Sequence, residues 1–89
     1  MNKDAVKKLL SEYHYTYEFI GGNGQTIKIG EPKLNIIIYI VIIGGNKYQI
    51  SFYNYENLFL ESLSAIKEVE KMYTKLYEFT EELEKILNE

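Results

Sequence analysis

Few residues in this chain are equipped for chemistry, and their spacing argues against catalysis. His14 is the one histidine, Asp4 the one aspartate, and there is no cysteine. A nucleophilic site needs a nucleophile, an adjacent base and a group that orients the base. No such set can be drawn from these residues, so His14 reads as a strand residue on the less apolar face. A zinc centre needs clustered Cys and His, and the Glu residues here are spread along a helical pattern, so no metal site is expected. Ile20-Gly21-Gly22-Asn23-Gly24-Gln25-Thr26 has the glycines of a phosphate loop. A phosphate loop ends in Lys followed by Ser or Thr and opens a helix. This stretch does neither, and it reads as a hairpin turn. The chain is therefore expected to be a binding protein without cofactors and not an enzyme.

Two groups of residues remain as candidate partner-binding sites. Glu78, Glu81, Glu82 and Glu84 crowd the end of a helical segment, where carboxylates oppose the helix macrodipole and only Lys85 offsets them. Glu81 and Lys85 are spaced as a favourable i,i+4 pair. The cluster reads either as a solvated helix face or as a surface that attracts a basic partner. Tyr53, Tyr55, Tyr73 and Tyr77 have a similar double reading. Tyrosine is amphipathic and stiff, which suits interfaces, and it also packs well in ordinary cores.

The elements that must position these residues follow from periodicity. Asn2 can cap a short helix whose stripe is Val6, Leu9, Leu10 and Tyr13, ending near Ser11 or Glu12. From Tyr13 the period becomes two, with Tyr13, Tyr15, Tyr17 and Phe19 on one face. After the glycine turn, residues 25–30 form a short second strand, and Pro32 interrupts the ladder. Residues 34–43 read LNIIIYIVII: nine of ten are apolar and seven are Ile or Val, types that fit a pleated strand. Ten residues are too few to cross a bilayer, which takes about 20 in a helix. Gly44-Gly45-Asn46 turns the chain into Lys47–Tyr53, completing a hairpin. The long strand does not alternate, so both of its faces, over 36–43, are expected to be covered. The second arm does alternate.

Asn54 is placed to cap a C-terminal helix with Glu56 in its first turn. Residues 56–87 contain no Gly or Pro. Ala65, Val69, Met72, Leu76, Phe79, Leu83 and Ile86 recur at alternating spacings of four and three, a heptad seam. One helix over this segment would be about 48 Å long, against about 25–30 Å for the strands. It should overhang the sheet, or break near Tyr73-Thr74-Lys75. Met72, Leu76, Phe79, Leu83 and Ile86 then form either a packing seam or an oligomer seam, and the C-terminal half is expected to fold back or meet another chain.

The 89 residues make one domain, 1–89, of globular composition: 46% hydrophobic and 26% charged. All ten basic residues are Lys. Residues 1–50 carry six Lys and four acids, and residues 51–89 carry four Lys and nine Glu. A nucleic-acid binder shows a basic face and often Arg forks, so direct nucleic-acid binding is not expected, nor is a membrane location. The N-terminus lacks the apolar core and small-residue site of a secretion signal, which points to the cytoplasm.

The element order, with the Ile-rich strand, Gly45-Asn46-Lys47-Tyr48-Gln49-Ile50-Ser51 and then Asn54, Glu56 and Asn57 opening a helix, resembles the small phage-encoded anti-CRISPR proteins that block the type II CRISPR nuclease. The resemblance covers roughly a third of the chain. It implies a viral protein in the host cytoplasm that mimics nucleic acid and occupies the nuclease's DNA-binding cleft. Here only Glu56 and the Glu78–Glu84 cluster could carry that role. The order α-β-β-β-α also matches the double-stranded-RNA-binding fold, whose last helix opens on Lys; here it opens on Asn54-Tyr55-Glu56-Asn57. The expected fold is α+β: a short N-terminal helix, an antiparallel sheet of three or four strands, and a long, bent or broken C-terminal helical segment on one face. The expected function is non-catalytic protein binding, with inhibition of a nucleic-acid-handling enzyme as its specific form. A homodimeric or oligomeric interaction module is the alternative.

Overall fold

The first helix begins where its cap requires. The Asn2 side chain accepts a hydrogen bond from the Ala5 amide at 3.2 Å, and α1 runs Lys3–Glu12 with Val6, Leu9 and Leu10 buried. The computed structural model describes residues 2–22, 25–31, 33–34, 36–45, 47–53 and 63–89. In it α1 is followed by β1 (Thr16–Ile20), β2 (Thr26–Glu31), β3 (Ile36–Gly44), β4 (Lys47–Tyr53) and α2 (Leu63–Leu87). This is the expected α+β fold, with four strands. They form one antiparallel meander in the order β1-β2-β3-β4.

The end of α1 corrects one expectation. Tyr13 and His14 do not start a strand; they close the helix. The His14 amide donates to the Ser11 carbonyl and the Tyr15 amide to the Leu10 carbonyl, both at 3.0 Å. His14 takes a φ of 58°. This is a Schellman cap with histidine in the left-handed position usually held by glycine. The period-two pattern was misleading here because the cap alternates its side chains much as a strand does.

β3 pairs on both edges and occupies the centre of the sheet. Ile36, Ile38, Ile40 and Ile42 face the helices and are at most 5% exposed. Their register partners continue this inner face: Ile27 and Ile29 on β2, and Tyr48, Ile50 and Phe52 on β4. The opposite side of β3 corrects a second expectation. Ile37, Tyr39 and Val41 are only half-buried, because both helices lie on the same face of the sheet. β3 is thus central but covered on one face. A register shift between Ile42 and Gly44 leaves Ile43 out of the ladder and 63% exposed.

α2 runs unbroken through Tyr73-Thr74-Lys75, and its 25 residues span about 38 Å, close to the 42 Å long dimension of the molecule. It overhangs the sheet, but at the end opposite to the one expected. Met72, Leu76, Phe79 and Leu83 are buried in the chain's own core and Ile86 packs against it, because α1 covers that half of the seam. Phe79 meets the rings of Tyr13 and Tyr15 edge-on, with centroids 5.6 and 5.4 Å away. The uncovered turns are the first ones, where Leu63 is 67% and Ile66 48% exposed. The expected cap at Asn54, Glu56, and the rest of 54–62 lie outside the described residues.

The two faces of β3 should differ in energetic weight. Ile40→Ala removes a fully buried side chain and should cost about 2–5 kcal/mol. Val41→Ala, its half-exposed neighbour, should cost about 1 kcal/mol or less. Urea unfolding midpoints at unchanged slope measure both. Equal losses would mean that the outer face is covered in solution.

Candidate protein-binding surface

The structure disperses the residues whose types are equipped for chemistry. His14 sits exposed in the helix cap, with its place set by backbone geometry. The glycine stretch joins β1 to β2, with Gly21 at a φ of 90°, and leads into a strand rather than a helix. Among the described residues no group of three or more His, Asp or Glu could hold a metal ion. No helix there is long and apolar enough to cross a membrane.

The four acids 78, 81, 82 and 84 near the end of α2 face different ways. Glu84 accepts a hydrogen bond from the Tyr48 hydroxyl at 2.6 Å, which ties the helix to β4. Glu82 pairs with Lys85 at 2.9 Å, an i,i+3 contact in place of the anticipated Glu81–Lys85 pair. This hydrogen bond with Glu82 raises the pKa of the Lys85 ammonium. Glu78 and Glu81 are exposed on the helix and, with Glu82, lie near Tyr13. Burial and then these carboxylates push the Tyr13 hydroxyl up. Of these four, Glu78 and Glu81 make no hydrogen bond or ion pair among the described residues, though the Glu81 charge still acts on Lys85. Lys67, Lys71 and Lys75 on the same helix interrupt the negative charge further along.

The tyrosines also separate. Tyr73 stands against Phe52 on the helical side, with centroids 5.7 Å apart, and Tyr77 is 66% exposed on α2. Tyr53 lies on the other side of the sheet, 59% exposed, with its ring 5.1 Å from that of Tyr39. Tyr55 lies outside the described residues.

What the structure assembles is the outer face of the sheet. Ladder partners share a face, so three rows cross it: Ile20, Thr26, Val41 and Gln49; Glu18, Lys28, Tyr39 and Ser51; Thr16, Gly30, Ile37 and Tyr53. Along β3 the side chains Ile37, Tyr39 and Val41 make an apolar stripe, with Tyr53 beside it, and Ile43 stands exposed in the bulge at its end. Glu18 and Lys28 stand opposite each other and balance in charge at the margin. Gly30 adds no side chain and leaves a shallow hollow between Thr16, Glu18 and Lys28. A flat apolar stripe rimmed by polar groups suits a protein surface better than a small molecule, which needs a concave site. Sequence reasoning named only Tyr53 from this face. The signal for the rest was present in the missing alternation of β3, which marks apolar residues on both faces.

No protein-family model, curated protein or solved structure matches the chain.

The Tyr48–Glu84 contact makes stability depend on alkaline pH. The hydrogen bond to Glu84, then burial and the Glu84 charge, push the Tyr48 hydroxyl from 10.0 up to about 12. Between those values the unfolded chain has released the proton while the folded chain keeps it. This contribution is complete below pH 10, declines above it, and is lost as pH rises through 12. Tyr48→Phe should cost about 1 kcal/mol or less at neutral pH, since solvent competes for both partners. It should also flatten the fall in stability between pH 10 and 12. Urea midpoints across that range measure it, and parallel curves for the two proteins would show that the hydrogen bond does not persist.

Proposed function

We propose that this chain is a non-catalytic protein-binding protein that engages its partner through the outer face of its sheet. The observation that supports this reading is the stripe Ile37, Tyr39 and Val41 on a side of the sheet that neither helix covers. Apolar side chains along a central strand stabilise a protein when buried, and here half of them reach solvent. A partner that covers them gains the burial that the chain's own fold leaves unused. Replacing Tyr39 with a photoreactive phenylalanine analogue places a crosslinker in the stripe, and the same analogue at Glu12 on α1 is the control. In extract of the source cell, illumination should give one discrete protein adduct from position 39 and none from position 12. Equal labelling at both positions, or none at 39, counts against the reading.

The narrower form of the proposal is an inhibitor of a nucleic-acid-handling enzyme with a basic binding cleft. Its support is the exposed pair Glu78 and Glu81, which lack a hydrogen bond or ion pair among the described residues. Charges of this kind speed encounter with a basic partner more than they hold the complex. Glu78→Gln with Glu81→Gln should leave the fold intact, since neither carboxylate anchors a neighbour. It should slow association with the crosslinked partner, most clearly at low salt where screening is weak. Association rates that coincide at every ionic strength would return these acids to a merely solvated role.

A further inference from the structure

The two edges of the sheet are built differently. β1 is five residues long with Glu18 at its centre; two copies paired there would set carboxylate against carboxylate. Short, charged edges are how sheets avoid joining one another. β4 has seven residues, Lys47–Tyr53, contains no proline, and carries its one charge at its end. No described strand pairs with its outer side. Its core-facing side chains Tyr48, Ile50 and Phe52 are only half-buried, whereas their β3 partners Ile42, Ile40 and Ile38 are almost fully enclosed.

We infer that β4 is a homodimer edge, at which two copies pair antiparallel about a two-fold axis through Ile50 to form one eight-stranded sheet. The sequence of the strand is self-complementary in this register. Ile50 meets its own copy. Gln49 meets Ser51, Tyr48 meets Phe52, and Lys47 meets Tyr53. Every pair is therefore β-branched with β-branched, polar with polar, aromatic with aromatic, or cation with ring, and no like charges oppose each other. On the helical side Tyr48 touches Glu84 and Phe52 touches Tyr73, so α2 runs along β4 and presents Ile66 and Tyr77 on the same flank, 48% and 66% exposed. Seven residues give a seam about 24 Å long, and one sheet plus one helix layer is about 20 Å deep. Roughly 500 Å² per chain, about 1,000 Å² in all, exceeds most crystal contacts and meets the lower threshold of a biological interface, the size of a reversible dimer. The seam follows the backbone edge of β4 and shares with the outer face only its margin, Gln49, Ser51 and Tyr53, so mass in solution tests the dimer and crosslinking at Tyr39 tests the partner surface separately.

Sedimentation equilibrium tests the pairing and its register together. Wild type should sediment at twice the 10.5 kDa chain mass. Gln49→Lys with Ser51→Lys changes only exposed positions and sets Lys against Lys in the dimer, so it should sediment as a monomer. Gln49→Glu with Ser51→Glu should do the same. An equimolar mixture of the two should recover the double mass, because each Lys then faces a Glu. Circular dichroism checks that the variants are folded. If either is not, Ile50→Cys replaces the test. Directly opposed residues in a ladder lie about 4.5–5.5 Å apart, within disulfide reach, and the chain has no other cysteine, so oxidation should give a covalent dimer. A wild type of single mass, a charge variant that stays dimeric, a mixture that stays monomeric, or an Ile50→Cys chain that fails to crosslink overturns the inference.

Discussion

Phe79 is the point on which the three parts of this molecule converge. It is fully buried in α2 and makes perpendicular, edge-to-face contacts with Tyr13 and Tyr15, which lie on either side of the residue that reverses the chain between α1 and β1. Edge-to-face rings prefer particular orientations as well as contact. The cluster therefore fixes the angle at which α1 leaves the sheet and the height at which α2 crosses it. Lys75 closes the group from above, its ammonium 4.2 Å from the Tyr15 ring centre. Burial pushes the Tyr15 hydroxyl well above its usual range, with Glu31 and Tyr13 adding to it. The left-handed backbone at His14 is held in place by the packing of Tyr13 and Tyr15 on its two sides.

Much of the architecture was legible because it rests on periodicity. The glycine-bounded Ile-rich run became the central strand, the alternating arm became β4, and the spacing from Met72 to Leu83 became the buried stripe of a long helix. Periodicity reports which side chains are apolar, however, and not what covers them. The unbroken run in β3 was compatible with cover on both sides, and a two-layer molecule supplies only one. The seam of α2 exceeds what the sheet alone can cover, and the short α1 supplies the rest of its packing. The cap at His14 was missed for a different reason: its signature lies in hydrogen bonds between Leu10, Ser11 and the two residues beyond Tyr13, and no residue type there announces it.

The candidate surfaces were less legible. Residues adjacent in sequence, such as Glu81, Glu82 and Glu84, point in different directions around a helix, so a dense run of acids becomes one hydrogen bond, one ion pair and a small free remainder. Residues remote in sequence, such as Ile20, Val41 and Tyr53, come to share a face only through the ladder register. A one-residue slip in that register would exchange the inner and outer faces of a whole strand. The surface is thus a product of pairing geometry more than of local composition.

The strand order carries a consequence for how the chain assembles. Every ladder in the sheet joins sequence neighbours, so the meander can form by successive local closures, the kind of topology that folds quickly. The helical layer is different: α1 and α2 come from opposite ends of the chain, and the core is complete only when the last element arrives. During synthesis the Ile-rich inner face therefore emerges before α2 exists to shield it. For that interval the nascent chain has apolar surface on both sides of β3 and an open edge at β4, the conditions under which strands of different chains find one another. Docking of Phe79 closes the inner face and ends that part of the hazard; the outer stripe and the β4 edge stay open in the folded molecule.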